Sequence, residues 1–517
     1  MTVWSVLLQG NGCGRGSFPY RADSSQRLQY AAQVSRRRGT DPSPTGAASI
    51  ADPKHQIKFT EDEMDRNPVP ADLDALNSNR CDVLVVGGGP GGSTVATMLA
   101  RKGWSVTVLE KDQFPRFHIG ESLLPKNLPI LEKLGVLDEV EAMGIRKPGA
   151  DFNHPDRAIK QHKFYFARAL EKKPEYAYEV RRSEFDHLLL KNSTRNGALV
   201  HHGIRVTDVE FRPGQTTLVK ARDEQGSTQL WEARYFIDAS GRDTLLHKKF
   251  GSKVKNTKHQ SAAIFGHFEN VERRQGYDEG NISVYWFDHG WFWMIPLRDG
   301  TMSVGAVCRP EYLKTRDCST EEFLWKTIHL SQGVTQRMRE AKLISEVRAT
   351  GNYSYGGTHM CGEGYLMVGD AYAFVDPIFS SGVLMAMTNG MNAADIVDAH
   401  LAGKKSEAKR LTRRYEADVK RGIRTFSWFI WRFNNPGMQR LFLEPGNPFR
   451  IEEAVTSVLA GDVYRRHPSI RLRLLAFKVL YYIFGLIEWR QTLEAHRTRQ
   501  RNNQVQFTGG TTQQDAQ

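Results

Sequence analysis

The stretch CDVLVVGGGPGG, residues 81–92, decides the fold. CDVLVV is a continuous apolar run, which is typical of a strand buried on both faces of a parallel sheet. A glycine-rich turn follows, then the helical pattern STVATMLARKG, and then a second strand, SVTVLE. This order predicts a strand, turn, helix and strand unit, and therefore an α/β fold with a doubly wound parallel sheet.

The turn has the GxGxxG spacing that dinucleotide sites use. Its glycines are Gly87, Gly88, Gly89, Gly91 and Gly92. Glycines allow a tight turn and close approach of the backbone to a pyrophosphate, and the helix N-terminus supplies oriented N–H groups. Glu110 closes the next strand, where a carboxylate accepts hydrogen bonds from ribose hydroxyls. We therefore predict a dinucleotide site, the alternative being a glycine-rich turn without a ligand.

The rest of the chain divides by pattern into four regions. Residues 1–79 are rich in Gly, Ser, Arg and Pro without a sustained period, which predicts a disordered or targeting leader. Residues 80–400 form the predicted core, in which the runs TTLVKA, SAAIFGHF, NISVYWF and TMSVGAV predict an antiparallel sheet along one wall of a substrate cavity. Residues 401–498 predict a helical C-terminal region, and residues 499–517 a disordered tail.

Composition narrows the classes of partner. The formal net charge is +13, but basic residues alternate with acidic ones along most of the chain, so we predict no nucleic-acid partner. The five cysteines show no metal-ligand spacing, so we predict no metal site and a reducing, cytoplasmic setting. No apolar run is long enough to span a membrane. The basic, apolar segment Leu474 to Ile487 leaves peripheral contact with a membrane surface open.

Two later segments favour FAD over NAD as the dinucleotide. YFIDASG (235–241) and YLMVGDAYAFVDP (365–377) contain strands that end in acidic and small residues. Here the chain resembles the FAD-binding fold of the aromatic hydroxylases. The resemblance implies that Gly369 and Asp370 contact the ribityl chain and that Arg182 lies beside the flavin. Glu121 and Val383 are further cofactor-binding residues that the resemblance implies.

The hexapeptide WFWMIP, residues 291–296, separates two families of flavoenzyme. It matches the WxWxIP motif of flavin-dependent halogenases, which the chain also resembles in HIGESLLP (118–125) and DPIFSSGV (376–383). The resemblance implies a wall formed by Trp291, Trp293 and Pro296 that keeps organic substrate away from the flavin while a halide passes. It also implies that chloride or bromide binds to backbone N–H groups of Ser381 and Gly382.

The same resemblance implies a catalytic lysine. GIRKPGADF places Lys147 where phenolic and carrier-bound-substrate halogenases have a lysine that delivers hypohalous acid to the substrate, and a solvated lysine is the alternative. Desolvation lowers a lysine pKa, so either a haloamine or a hydrogen-bonding ammonium would serve. Phe379 stands where the tryptophan-halogenase branch has a glutamate. A phenolic aromatic, free or tethered to an acyl carrier protein, is therefore the expected substrate.

The sequence has no second GxGxxG unit, which predicts that a separate flavin reductase supplies reduced FAD. Three other functions remain open at this point: an FAD-dependent aromatic monooxygenase, a saturase like the prenyl reductases, and a catalytically silent flavoprotein that binds a carrier or a membrane. The WxWxIP motif together with Lys147 favours the halogenase over all three.

Overall fold

The computed structural model of the chain describes residues 79–154, 161–212, 214–256, 260–351, 354–464, 468–487 and 497. The predicted leader up to residue 78 and the predicted tail lie outside these ranges. The strands in them are β1 Arg80–Val86, β2 Val106–Leu109, β3 Ile145–Lys147, β4 Gly149–Asn153, β5 Gln161–Tyr165, β6 Ala177–Glu179, β7 Leu199–His201, β8 Arg205–Glu210, β9 Thr217–Arg222, β10 Thr228–Asp238, β11 Lys253–Lys255, β12 Ala262–Glu269, β13 Ile282–Phe287, β14 Gly290–Pro296, β15 Met302–Cys308, β16 Lys342–Leu343, β17 Arg348–Thr350, β18 Tyr355–Gly357, β19 Cys361–Gly362 and β20 Tyr365–Met367. The α-helices in the same ranges are α1 Pro90–Ala100, α2 Leu128–Leu134, α3 Leu137–Met143, α4 Arg182–Arg195, α5 Leu245–Phe250, α6 Pro310–Leu313, α7 Thr320–Ile328, α8 Gln332–Arg337, α9 Ser381–Leu401, α10 Lys405–Ile430, α11 Pro436–Leu443, α12 Ile451–Leu459 and α13 Pro468–Ile487.

The first sheet contains the predicted parallel unit. Its strand order is β19, β20, β10, β1, β2 and β7, and the pairs from β20 to β7 are all parallel. Val83, Leu84 and Val85 in β1 are fully buried, because α1 packs on one face and other apolar residues cover the opposite face. The predicted α/β fold is confirmed, and the carboxyl ends of these strands gather at one edge, where such sheets bind ligands.

The prediction for the run TTLVKA was wrong in one respect. This run forms β9, which pairs antiparallel with β8 and β10 and so extends the first sheet rather than the substrate sheet. An alternating run identifies a half-buried strand but carries no information about which sheet it joins. The other three predicted runs form β12, β13 and β15, as expected.

The second sheet supplies the predicted antiparallel wall. Its order is β16, β12, β15, β14, β13, β4 and β5, with β17 also paired to β12. All its pairs are antiparallel except the parallel pair of β13 with β4. Every residue of β14 is buried, because Trp291, Trp293 and Ile295 face one hydrophobic core while Phe292 and Met294 face another. The sheet is therefore covered on both sides.

Long helices complete the fold. α9 packs against α1 and α10, which joins the helical C-terminal region to the first sheet. α11 and α12 pack against α13, and Phe433 and Phe442 from this region meet Phe152 and Trp286 of the second sheet. No helix of the described residues is both long and apolar enough to cross a membrane.

Candidate active site

One cavity of about 1040 Å³ joins the segments that the sequence singled out. Its wall includes the glycine turn after β1, the segment before α2, the start of α4, the end of β20, the start of α9, and β14. The two sheets therefore meet around a single space, and most of the predicted site residues face it.

The glycine turn is shaped by close backbone contacts. Gly87 has a φ of +98°, and a Cβ on Gly92 would lie 1.9 Å from the carbonyl oxygen of Gly87. Gly87, Gly89 and Gly91 line the cavity, whereas Gly88 and Gly92 do not. Gly88 instead donates its N–H to Glu110 Oε2 at 2.6 Å. The turn thus needs glycine for two separate reasons, namely exposure to the cavity and tight packing behind it.

Glu110 has two functions in this arrangement. It lines the cavity, and its second carboxylate oxygen accepts a hydrogen bond from the N–H of Asp112 at 2.9 Å. Each carboxylate oxygen has more than one lone pair, so both remain able to accept from a bound hydroxyl. The backbone bonds fix the carboxylate in place for that contact.

The end of β20 brings a second acidic residue to the cavity. Asp370 lines it, and burial raises the pKa of Asp370 to about 6. Gly369 does not line it, but its φ of +62° and the nearness of Ala386 explain the glycine, since an added Cβ would lie 2.9 Å from the Ala386 Cβ. Gly369 therefore shapes the turn that presents Asp370.

Arg182 is held by a buried carboxylate. Its Nε and Nη2 donate to the two oxygens of Asp186 at 2.7 and 2.9 Å, and its Nη1 donates to the carbonyl oxygen of Ile119 at 3.0 Å. Burial opposes ionisation of Asp186, but the charges and hydrogen bonds of Arg182 and Arg116 outweigh it and keep the pKa of Asp186 below its usual value. The Arg182 side chain consequently reaches the cavity as a fixed positive charge.

Glu121 presents an unpartnered oxygen at the cavity. Its Oε1 lies 2.9 Å from His267 Nε2, within hydrogen-bond distance, while its buried Oε2 has no hydrogen-bond partner among the described residues. Buried polar atoms rarely lack a partner. This oxygen can therefore take a donor from a bound ligand.

The two tryptophans of β14 lie on one wall of the cavity. Trp291 and Trp293 alternate with buried apolar residues, so both rings project to the same side and line the cavity. Trp293 Nε1 donates to Ser303 Oγ at 3.2 Å, which fixes the orientation of that ring. Pro296 ends the strand outside the cavity lining, where Ile295 takes the last position of the wall.

The start of α9 faces the same space. Ser380 precedes the helix with a φ of +53°, and no side chain caps this end, so its first-turn N–H groups keep their hydrogen-bonding capacity. Gly382 and Val383 line the cavity, but Ser381 is only 3% exposed and does not. The prediction that Ser381 lies at this site is therefore not supported by the cavity lining, whereas Gly382 faces the cavity as expected.

The helices α1 and α9 approach each other through glycine. A Cβ on Gly390 in α9 would lie 2.7 Å from the carbonyl oxygen of Gly91 in α1, and a Cβ on Gly91 would lie 3.3 Å from the carbonyl oxygen of Ala386. The helix starts at Pro90 and Ser381 thus belong to two helices in backbone contact.

Lys147 is buried one side chain away from the cavity. It lies in β3, where it pairs with Ala177 of β6, and it is 1% exposed. Its Nζ donates to Ser122 Oγ at 2.6 Å and to the carbonyl oxygen of Leu123 at 3.0 Å. Ser122 lines the cavity and Lys147 does not. Lys147 is therefore neither a solvated lysine nor in open contact with the cavity.

A carboxylate accompanies this lysine. Glu179 Oε1 lies 3.8 Å from Lys147 Nζ, and Glu179 is fully buried. Burial lowers the pKa of Lys147 and raises the pKa of Glu179 to about 7, while the opposite charges work against both shifts.

Comparisons with known proteins agree with this geometry. A family model described as an FAD binding domain matches residues 80–424. A 1H-pyrrole-2-carbonyl-[peptidyl-carrier protein] chlorinase of Pseudomonas fluorescens is 31% identical over 412 residues, which cover 75% of this chain and 91% of that protein. The chain belongs to the FAD-dependent halogenases.

Two further relatives extend the comparison for this halogenase. A tryptophan 2-halogenase of Chondromyces crocatus is 37% identical over 332 residues, which are 62% of each protein, so the match spans less than two thirds of that relative. The solved structure of the myxobacterial chondrochloren halogenase CndH has a TM-score of 0.66 and 33% identity, covering 76% of this chain and 92% of that one. The predicted family and fold are confirmed.

The cavity of the halogenase fits FAD, the cofactor of its family. It runs without interruption from the glycine turn to the tryptophan wall, as a long dinucleotide requires. Glu110 and the start of α1 would hold the ribose and the pyrophosphate. Arg182, Asp370, Val383 and the free oxygen of Glu121 lie further along the wall, at the predicted flavin end. Among the described residues no cluster of side chains could hold a metal ion.

Three residues that contact Lys147 or Glu121 in the halogenase were not predicted from the sequence. Ser122, Glu179 and His267 contact these residues, but none of them was singled out. Ser122 belongs to the quoted HIGESLLP motif, so its position gave a signal. Glu179 lies in β6 and His267 in β12, and both strands pair with segments that are distant in sequence. A titratable residue inside a strand was the one clue to their position that the sequence offered.

Proposed function

We propose that this halogenase chlorinates or brominates an electron-rich phenolic aromatic, free or tethered to a carrier protein, and that Lys147 delivers the activated halogen. The observation that carries the proposal is the position of Lys147, buried and hydrogen-bonded to Ser122, which itself lines the cavity. A lysine in this place is shielded from bulk water and is connected to the cavity through Ser122.

Different residues of the chain bind the halide and exclude the organic substrate. When bound, reduced FAD supplies, with oxygen, the two-electron oxidation that converts halide to hypohalous acid. The backbone N–H of Gly382 provides the halide site, because the start of α9 is uncapped and Gly382 faces the cavity, whereas its neighbour Ser381 lies outside the cavity lining. Trp291 and Trp293 exclude the organic substrate.

Lys147 and Ser122 then act on the hypohalous acid. As an ammonium, Lys147 donates a hydrogen bond and polarises the acid. As an amine, its nitrogen forms a bond to the halogen while the halogen–oxygen bond breaks, and the proton lost from the nitrogen leaves with the hydroxide as water. Both forms are accessible because burial lowers the pKa of Lys147 while the nearby Glu179 raises it. Ser122 accepts a hydrogen bond from Lys147 Nζ and also lines the cavity, so it connects the lysine to the cavity wall.

The residue in the position of the missing glutamate supports a phenolic substrate. Phe379 is 3% exposed and packs against Phe433 and Phe442, so it supplies no base. A phenol loses a proton from its own oxygen and pushes electron density into the ring without such help. An indole lacks this route, so tryptophan fits this site less well.

A separate flavin reductase supplies reduced FAD in this proposal. The described residues form one glycine turn with the dinucleotide geometry, at Gly87, and it belongs to the FAD cavity. Free diffusion of reduced FAD between two proteins then becomes a step of turnover.

The test is a turnover assay with a flavin reductase, NADH, FAD, oxygen and either chloride or bromide. The acceptors are a free phenol, a phenolic acyl thioester, a pyrrolyl thioester and tryptophan. We expect a halogenated phenol or phenolic thioester, recognised by mass and isotope pattern, and little product from tryptophan.

The other functions give different products in the same assay. A hydroxylated product that forms regardless of halide would identify a monooxygenase, and anaerobic hydrogenation of a prenyl double bond would identify a saturase. A pyrrolyl product alone would replace the phenolic substrate with the acceptor in the name of the chlorinase relative. FAD binding without any product would leave only a silent flavoprotein.

A further inference from the structure

The last described helix, α13, exposes a large apolar face. Six of its apolar or aromatic side chains are between 44% and 75% exposed and recur at helical spacing, so they lie on one side. They are Leu472, Leu475, Val479, Tyr482, Ile483 and Leu486. Single exposed leucines are ordinary on protein surfaces, but a continuous row of this kind marks an interaction surface.

The opposite side of α13 is anchored to the protein. Phe477 and Tyr481 are buried, and their rings contact Trp428 of α10. The Tyr481 hydroxyl also accepts a hydrogen bond from Asn435 Nδ2 at 2.7 Å. The helix is therefore apolar on both sides, and its outer side needs a covering in the working protein.

Phe449 enlarges this face from outside the helix. It is 81% exposed, and both Phe449 and the next residue, Arg450, have the positive φ that non-glycine residues rarely adopt. Arg473 of α13 donates from Nε to the carbonyl oxygen of Phe449 at 3.1 Å, which places the loop beside the helix. We call Phe449 and the six exposed residues of α13 the α13 face.

The charged residues of α13 itself all have the same sign. α13 contains three basic residues and no acidic residue. Arg471 and Arg473 flank the exposed Leu472 in the chain, whereas Lys478 lies on the anchored side, with its Nζ 4.9 Å from the Trp428 ring. Arginines from neighbouring elements add to them, because Arg432 donates to the Tyr482 hydroxyl at 3.4 Å and the Arg440 guanidinium lies 4.9 Å from the Phe484 ring. An apolar row with basic side chains matches the boundary between the acyl chains and the headgroups of an anionic membrane.

We propose that the α13 face binds the surface of an anionic lipid bilayer, with its apolar side chains in the interface and its basic side chains against lipid phosphates. The helix lies on the membrane and does not cross it, since no described helix meets the requirements for a span. This attachment is independent of the halogenation chemistry and uses residues that do not line the cavity.

The test is co-sedimentation of the full-length, FAD-loaded protein with vesicles. We expect binding to phosphatidylcholine vesicles that contain phosphatidylserine, weaker binding to pure phosphatidylcholine, and loss of binding as salt is raised. The variant Leu475→Glu with Val479→Glu should bind about tenfold more weakly or worse, because it puts two charges where apolar side chains would be buried.

The matched control carries Leu199→Glu and Leu330→Glu, two exposed apolar positions away from α13. It should bind vesicles like the unchanged protein, and both variants should keep their FAD absorbance and far-ultraviolet circular dichroism.

Three results would overturn the proposal. The first is that the full chain does not bind vesicles, for example because another part of the same chain covers the α13 face. The second is that both double variants bind vesicles equally well. The third is a dimer in analytical ultracentrifugation that only the α13 variant dissociates, which would make the face a subunit interface.

Discussion

Two buried ion pairs lie close to the cavity, and they differ in how their partners meet. Arg182 and Asp186 form a bidentate pair at 2.7 and 2.9 Å, and Arg116 approaches the same carboxylate at 3.3 Å. Lys147 and Glu179 lie 3.8 Å apart, and Lys147 directs its short hydrogen bond to Ser122 instead. Both pairs are almost completely shielded from solvent.

The difference shows that buried groups can have pKa values set mainly by their ion-pair partners or mainly by burial. Two arginines hold the pKa of Asp186 below its usual value against the effect of burial, which favours the carboxylate form beside Arg182. The single, longer contact of Lys147 leaves burial as the largest influence on both partners, which moves the two pKa values towards each other. The first pair suits a structural and binding role, and the second suits proton and halogen transfer.

The largest expected effect comes from removing the amine. Lys147→Met should lower the rate of halogenation by about 10²–10⁴-fold, the usual contribution of a positioned acid or base, while FAD binding is kept. Product formation under saturating reduced FAD measures this. Lys126→Met, which removes an ion-paired lysine outside the cavity lining, is the control. Wild-type rates in Lys147→Met would remove the proposed role of the lysine.

Breaking the fixed pair should affect stability instead. Asp186→Asn leaves the buried Arg182 charge without its partner, and we expect a loss of about 3–5 kcal/mol in the free energy of unfolding, together with weaker FAD binding. Urea unfolding and FAD titration measure the two effects. Asp398→Asn disturbs the partly exposed pair with Lys102 and should cost no more than about 1 kcal/mol. Equal losses in both variants would contradict the special place of Arg182 and Asp186.

Glu179→Gln should change the pH dependence more than the fold. The charge of Glu179 raises the pKa of Lys147 against the effect of burial, so the neutral glutamine should lower the Lys147 pKa further and move its limb of the pH–rate profile to lower pH. A loss of rate on the alkaline side of the profile would identify the ammonium as the active form, and a gain on the acid side would identify the amine. Glu179→Asp should restore most of the original profile. An unmoved limb in the glutamine variant would show that the pair is not coupled.

The smallest expected effect belongs to the outer arginine of the fixed pair. Arg116→Gln removes a contact of 3.3 Å, but Arg182 still neutralises Asp186, so the loss in unfolding free energy should be about 1 kcal/mol. The same urea titration measures it. A loss as large as that of Asp186→Asn would mean that Arg116, rather than Arg182, holds the carboxylate.

Local patterns were enough to predict the parts of the site that are continuous in sequence. The turn at Gly87 and the carboxylate of Glu110 follow from spacing within a single strand, turn and helix unit. The tryptophans and the segment near Gly382 were expected from the family resemblance of WFWMIP and DPIFSSGV. Each of these features depends on neighbours only a few residues away.

The rest of the site depends on pairings between distant segments. Glu179 reaches Lys147 because β6 pairs with β3, with Ala177 opposite Lys147, and nothing in either short segment encodes that register. The assignment of TTLVKA to the wrong sheet has the same cause. Burial of Lys147 behind Ser122 also comes from the packing of separate segments, so the sequence predicted the residue but not its distance from the cavity.

The backbone contact between α1 and α9 has a consequence for ligand affinity. Since Gly390 leaves no space for a side chain between these helices, the helix end at the glycine turn and the helix end at the proposed halide site belong to two helices in direct backbone contact. Occupancy of one end should therefore alter the dissociation constant at the other, and thermodynamic reciprocity requires the same factor in both directions. Titrating halide into the enzyme with and without its nucleotide would measure that heterotropic linkage directly.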